Sequence, residues 1–178
     1  MRIFVSQLNP IIGDLEGNTK KILYALEQAR LSNAELVLFS ELILSGYPPE
    51  DLLLQRTFIE AHSYYLEQII EASSGLIVIL GLVRQNKGKA EKSLINSAAV
   101  IYDRKLVGFQ DKQLLPTYDV FDERRYFEPG SKTCIWPLKG KRIGILICED
   151  MWQHSINTYT HDPVLDLADL QPDLVLNL

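Results

Sequence analysis

Gly140-Lys141-Arg142-Ile143-Gly144-Ile145-Leu146-Ile147-Cys148-Glu149-Asp150-Met151-Trp152 is the stretch on which the fold turns. The apolar run Ile143 to Ile147 reads as a strand buried on both faces. It stops abruptly at a cysteine followed by two acids. A thiol at the end of a buried strand, where the backbone turns sharply, is placed to meet a substrate. A free cysteine also serves as small apolar filler and is among the most buried residue types. On this stretch alone the packing role is the simpler reading, and the rest of the chain must decide.

Working outward, Cys134 to Leu138 and Arg142 to Ile147 read as a hairpin over Lys139-Gly140. Cys134, before Trp136-Pro137, reads as packing. Downstream, a polar stretch holds His154 and His161, a short helix covers Val164 to Leu170, and Leu174 to Leu178 reads as a final buried strand. Upstream lies a loop of some twenty residues, Gln113 to Thr133, rich in aromatic and charged side chains. Loops of that length are uncommon in compact domains unless they have a function.

Further back, Leu76 to Arg84, Ser97 to Tyr102 and Lys105 to Gln110 read as sequential antiparallel strands, with turns at Lys87-Gly88-Lys89 and Asp103-Arg104. The N-terminal part alternates differently. Arg2 to Leu8 is a strand. Asn9-Pro10 and Gly13-Asp14 break it, and Asp14 is a candidate N-cap for a helix reaching about Arg30. Leu36 to Phe39 is a second strand, with Ser40-Glu41 at its end. Pro48 and Pro49 keep Leu42 to Leu54 out of a central strand or helix interior. A second amphipathic helix covers about Thr57 to Ala72, with His62 on its apolar face as a core histidine. The order strand, helix, strand, helix, then several strands predicts an α/β domain on a mixed sheet with helices outside.

The chain has 178 residues, a net charge of −5 and 47% hydrophobic residues, the size and composition of one ordinary globular domain. No basic excess points to nucleic acid. No apolar run approaches the ~20 residues that span a bilayer, and Met1 to Asn9, interrupted by Pro10 and Asp14, reads as too short for a signal peptide. Two distant cysteines make no disulfide framework, so a reducing, cytoplasmic setting is expected. The chain stops inside a strand, which predicts that residues 1–178 are an incomplete domain of a longer polypeptide.

Three polar residues share one placement. Glu41, Lys112 and Cys148 each end a predicted strand, where α/β proteins gather their functional groups. A carboxylate can take the thiol's proton, and an ammonium can stabilise the thiolate and a later oxyanion. Together they suit acyl transfer from an amide or nitrile carbon. By placement alone Glu41 is equally a helix-cap acid and Lys112 a solvated charge. No Gly-x-Ser-x-Gly turn, dinucleotide-binding glycine pattern or His-Glu-x-x-His is present, and His154, His161 and Asp162 lack metal-ligand spacing. No metal is expected.

At these residues the sequence resembles the nitrilase (carbon–nitrogen hydrolase) superfamily, whose hallmark is a Glu-Lys-Cys triad in that order. Four blocks bring it closer to the glutaminase domains of glutamine-dependent NAD synthetases: Gln7 to Asp14, Ser40 to Leu52, Lys112 to Phe127 and Ile147 to Trp152. The resemblance covers essentially the whole chain. It implies an α-β-β-α sandwich of two mixed sheets with outer helices, here truncated on the C-terminal side. It implies hydrolysis of L-glutamine to glutamate and ammonia by Glu41, Lys112 and Cys148. The ammonia would feed an ATP-dependent synthetase domain that amidates deamido-NAD.

Tyr118, Phe121 and Glu149 match substrate-pocket positions of the family, and Glu123 an acid that supports the lysine. Arg124 and Arg125 are candidates for the substrate carboxylate or for surface ion pairs. The resemblance further implies no cofactor in this domain, ATP and Mg in the absent synthetase domain, and assembly into a homo-oligomer. The last strands of the second sheet would also be absent, which predicts an exposed edge and weak or no activity for this piece alone. A free-standing amidase acting on another small amide is the alternative enzyme, and an inactive fragment the alternative of a different class.

Overall fold

A computed structural model describes residues 1–86 and 91–178; the predicted Lys87-Gly88-Lys89 turn lies outside the described residues. Strands β1 (Ile3–Ser6), β2 (Leu36–Phe39), β3 (Ile77–Gln85), β4 (Leu94–Tyr102) and β5 (Lys105–Asp111) form one sheet in that order. The first three are parallel to their neighbours, and β3, β4 and β5 follow antiparallel. A second sheet is made of β6 (Ile135–Leu138), β7 (Lys141–Leu146) and β8 (Leu174–Asn177), with β6 antiparallel and β8 parallel to β7.

The parallel pairs are bridged by helices, as a crossover requires. Helix α1 (Leu15–Leu31) links β1 to β2, and α2 (Arg56–Ala72) lies between β2 and β3. Asp14 caps α1 as predicted, its Oδ1 accepting from the Gly17 N–H at 2.8 Å. The hairpins turn on residues of positive φ, Asp103 and Arg104 between β4 and β5, Lys139 and Gly140 between β6 and β7. Such two-residue turns match the right-handed twist of the strands they join.

Side chains alternate along the strands onto the two faces of the first sheet. Leu36, Ile77, Ile79, Ala98 and Val100 face Leu138, Ile143, Ile145, Ile147 and Leu176 of the second sheet. The opposite faces, including Val37, Phe39, Val78, Leu80 and Ile101, pack under Ile22, Leu26, Leu66 and Ile69 of α1 and α2. This explains the near-continuous apolar runs, since both faces are covered. On the outer side of the second sheet, α4 (Pro163–Asp169) sets Leu167 against Gly144, where an added Cβ would lie 2.6 Å from a Leu167 methyl. The layers are therefore α-β-β-α.

Two sequence expectations need correction. β4 begins at Leu94, not Ser97, and so takes Asn96 into the sheet. Asn96 and Ser97 broke the apolar run because that end of the strand meets a polar cluster. The long segment after β5 is not structureless either. Leu114, Leu115 and Phe127 are buried, and Glu123–Tyr126 forms a one-turn helix, α3. The predicted boundaries of the other elements differ by one or two residues, as is usual where ends fray.

Candidate active site

Glu41 follows β2 by two residues. Its backbone is pressed against β3 at Gly81, where an added Cβ would lie 2.4 Å from the Leu42 nitrogen, 2.5 Å from the Ser40 oxygen and 2.7 Å from the Glu41 Cα. Only glycine lets the turn come this close. Leu42 then leaves with φ of 46°.

Lys112 follows β5 directly, its N–H donating to the Asn96 carbonyl on β4 at 2.9 Å. Its side chain is 0% exposed, and its Nζ donates to Glu41 Oε1 and Glu123 Oε1, each at 2.7 Å. Burial is the largest influence on this ammonium and by itself lowers its pKa. The two carboxylates more than offset it, and the group is held above its ordinary value. Glu123 is raised, first by burial and further by the Glu41 charge, with Lys112 opposing. Tyr47 also donates to Glu123 Oε1, at 2.9 Å.

Cys148 ends the β7 run in the left-handed region, with φ of 46°. A non-glycine residue there costs about 1–3 kcal/mol and persists only where its surroundings impose it. Asp150 imposes it here. One of its oxygens accepts from the N–H groups of Gln113 (2.9 Å) and Leu114 (2.8 Å), the other from Ile147 (3.0 Å). The cysteine turn is thus tied to the chain just after the lysine. Burial pushes the Asp150 carboxyl up to about 6 despite these donors. Burial also pushes the Cys148 thiol up to about 11, aided by the Glu41 charge, with Lys112 opposing.

Beside Cys148, Glu149 is buried and accepts from the Tyr118 hydroxyl on both oxygens and from the Tyr159 hydroxyl on Oε1, all at 2.9 Å. Phe121 reaches the group through its ring, 5.6 Å from that of Tyr118 and 6.4 Å from that of Tyr47. The structure therefore joins Glu41, Lys112 and Glu123 directly, brings Cys148 within reach of their charges, and joins Tyr118 to Glu149. Arg125 pairs instead with Asp51 (3.6 Å) and Asp122 (3.9 Å) at the surface, and Arg124 lines a 420 Å³ cavity with Tyr118, Tyr159 and His161. A second cavity, of 230 Å³, touches the cluster through Tyr47, Phe121 and Glu123 but not through Cys148.

Sequence reasoning missed Gly81, Asn96, Asp150 and Tyr159. Asn96 is fully buried and its Nδ2 donates to Glu41 Oε1 at 2.7 Å. Among the described residues no group of three or more His, Cys, Asp or Glu is placed to hold a metal. His62 lies in the core with Nδ1 2.9 Å from the Phe58 carbonyl. No described helix is long and apolar enough to cross a membrane.

The family model for carbon–nitrogen hydrolases matches residues 2–159. Among curated proteins, the chain is 39% identical over 154 residues to a glutamine-dependent NAD(+) synthetase of Thermotoga maritima, covering 85% of this chain and 26% of that protein. It is 41% identical over 184 residues to that of Synechocystis sp., covering 99% of this chain and 33% of that protein. The chain thus spans about a third or less of the relatives' length. A solved glutamine-dependent NAD+ synthetase from Acinetobacter baumannii superposes with a TM-score of 0.87 at 35% identity, over 99% of this chain and 31% of that one. An amidase from Nesterenkonia sp. AN1, with acrylamide added at its active site cysteine, shares the fold with a TM-score of 0.79 at 21% identity, over 99% of this chain and 66% of that one. The chain belongs to the carbon–nitrogen hydrolase family.

Proposed function

We propose that this chain is the glutamine-hydrolysing part of a glutamine-dependent NAD synthetase, with Cys148 as nucleophile, Glu41 as general base and Lys112 as oxyanion donor. The observation that carries the reading is the buried Lys112 held between Glu41 and Glu123, with the Cys148 thiol near enough to feel the charges of all three. The similarity to NAD synthetases over 85–99% of the chain supports the choice of substrate.

The charges favour a coupled first step. A free thiolate beside two carboxylates is opposed by both, so the thiol gives up its proton to Glu41 as sulfur attacks the carboxamide carbon. This transfer leaves the charge of the cluster unchanged, with the negative charge passing from Glu41 to the substrate oxygen. Lys112 Nζ meets it there. The Cys148 N–H is committed to the Leu178 carbonyl at 2.8 Å, so the second donor is the N–H of Glu149. Glu41 returns its proton to the leaving nitrogen, ammonia departs, and a glutamyl thioester remains. Water then attacks the thioester carbon, giving its proton to Glu41, and glutamate is released with the thiol restored.

In this reading Glu149, oriented by Tyr118, and the ring of Phe121 hold glutamine. The ammonia serves an ATP- and Mg-dependent synthetase domain of the parent chain, and residues 1–178 are part of the hydrolase domain. The test is ammonia release from L-glutamine by the full-length protein. Release that disappears in Cys148→Ala supports the reading. Hydrolysis of small amides such as acetamide, with none of L-glutamine, would overturn it in favour of a free-standing amidase.

A further inference from the structure

Asn96 lies 55 residues from Glu41 in sequence yet is bonded to two members of the proposed triad at once. Its Nδ2 donates to Glu41 Oε1 at 2.7 Å, and its backbone carbonyl accepts from the Lys112 N–H at 2.9 Å. It stands on β4, opposite Val83 of β3 and beside the end of β5 from which Lys112 emerges. It is 0% exposed, and its Oδ1 is buried without a hydrogen-bond partner.

That orphaned oxygen bears on its role. A buried polar atom left unsatisfied costs about 1–3 kcal/mol, so an asparagine kept for stability would be expected to satisfy both ends of its amide. Only the end that reaches Glu41 is used. An apolar side chain of the same shape would remove the orphaned oxygen and leave Glu41 Oε1 still bonded to Lys112. What it would lose is the second donor that fixes the carboxylate's rotation and favours its ionised form.

We infer that Asn96 is a positioning residue that orients Glu41 and keeps it ionised as the proton acceptor for the Cys148 thiol. The inference rests on Glu41 being the base. The groups facing Glu41 are Lys112 from the end of β5, Glu123 from α3, Tyr47 from the turn after β2, and Cys148 from the end of β7. Lys112 favours the carboxylate, while Glu123 disfavours it. With the Asn96 donor removed the balance moves towards the protonated acid. The acid limb of the pH profile then moves to higher pH. On that limb the ionised fraction of a single base changes about tenfold per pH unit, and the rate follows it.

The experiment compares Asn96→Leu and Asn96→Asp with wild type in the full-length protein. Three readouts are taken: the pH profile of kcat/KM for L-glutamine, the thermal midpoint, and the pH dependence of alkylation mapped to Cys148. The alkylating probe is iodoacetamide, from which sulfur displaces iodide as the thiol proton passes to the base. Asn96→Leu is expected to keep the wild-type midpoint, to lose about tenfold in kcat/KM below the limb, and to move both acid limbs upward. Asn96→Asp sets a carboxylate against Glu41 and is expected to move them further, which keeps the inference testable should the leucine variant not fold. Unmoved limbs in a folded variant would overturn it, as would a loss of activity matched by a fall in midpoint with the limbs in place. The alkylation profile needs no substrate. If wild type does not hydrolyse L-glutamine, the substrate reading fails while the alkylation limbs still decide the role of Asn96.

Discussion

The core between the sheets and the polar cluster at its rim are built from the same strands. β4 gives Ala98 and Val100 to the core and Asn96 to the cluster; β7 gives Ile143 and Ile145 to the core and leads to Cys148. The core is apolar on both sides, and many interchangeable contacts hold it. In the cluster a buried lysine lies between two acids, the cysteine adopts a left-handed backbone, and Asn96 Oδ1 and Glu123 Oε2 are buried without partners. One region's contacts serve stability, and the other keeps strain and unsatisfied groups of the kind that gather at functional sites. Substitutions in the core should therefore cost stability and leave turnover per folded molecule intact, while loss of turnover should come from the cluster.

The sharpest separation is expected at Cys148. Cys148→Ala should remove essentially all glutamine hydrolysis and leave the urea midpoint unchanged or slightly altered, as read by ammonia release and equilibrium unfolding. Next comes Lys112→Met. It leaves two buried carboxylates without their cation, at a cost of about 3–5 kcal/mol in urea unfolding, together with loss of turnover. Ile145→Ala probes the other side of the comparison. It should cost about 2–5 kcal/mol through a cavity between the sheets, with kcat per folded molecule unchanged. A fall in that kcat would break the distinction between the regions.

Gly81→Ala lies on the boundary, where the backbone of Glu41 rests on β3. The added methyl meets backbone atoms at 2.4–2.7 Å and should cost about 1–3 kcal/mol while lowering kcat through Glu41. The smallest effect is a pH slope in the helix-covered core. Burial depresses the pKa of His62. The unfolded chain therefore takes up a proton at this residue near pH 6.5 while the folded chain resists it. Its contribution to stability is present above pH 6.5 and is lost as pH falls from there through the folded value. Unfolding free energies of wild type and His62→Phe, compared from pH 7.5 to 5, should diverge, with wild type losing more.

What the sequence discloses follows the range of the interactions involved. Asp14 as a cap, the two long helices, the β3–β4–β5 meander and the strand-end placement of Glu41, Lys112 and Cys148 are all written in local pattern. Local pattern alone predicts one mixed sheet with outer helices; the second sheet comes from the family resemblance, and the continuous apolar runs fit it because both faces are covered. Asn96 could not be read this way, because its partner is remote and its polarity looked like the end of a strand. Gly81 carries no local sign of the Glu41 backbone that rests against it. Asp150 looked like one of two acids after a cysteine, although it bonds the chain on either side of the site. Tyr159, whose hydroxyl reaches Glu149, sits in a polar stretch without periodicity. In each case the signal is a contact across the fold.

The central claim is that Cys148 carries the acyl group. It is tested most directly by mixing the full-length protein with L-glutamine, quenching with acid during turnover, and mapping the modified peptide by mass spectrometry. A glutamyl group on Cys148, absent in Cys148→Ala and strongly diminished in Glu41→Gln, is the result predicted. Ammonia release with the glutamyl group on Cys134, or undiminished release by Cys148→Ala, would contradict it.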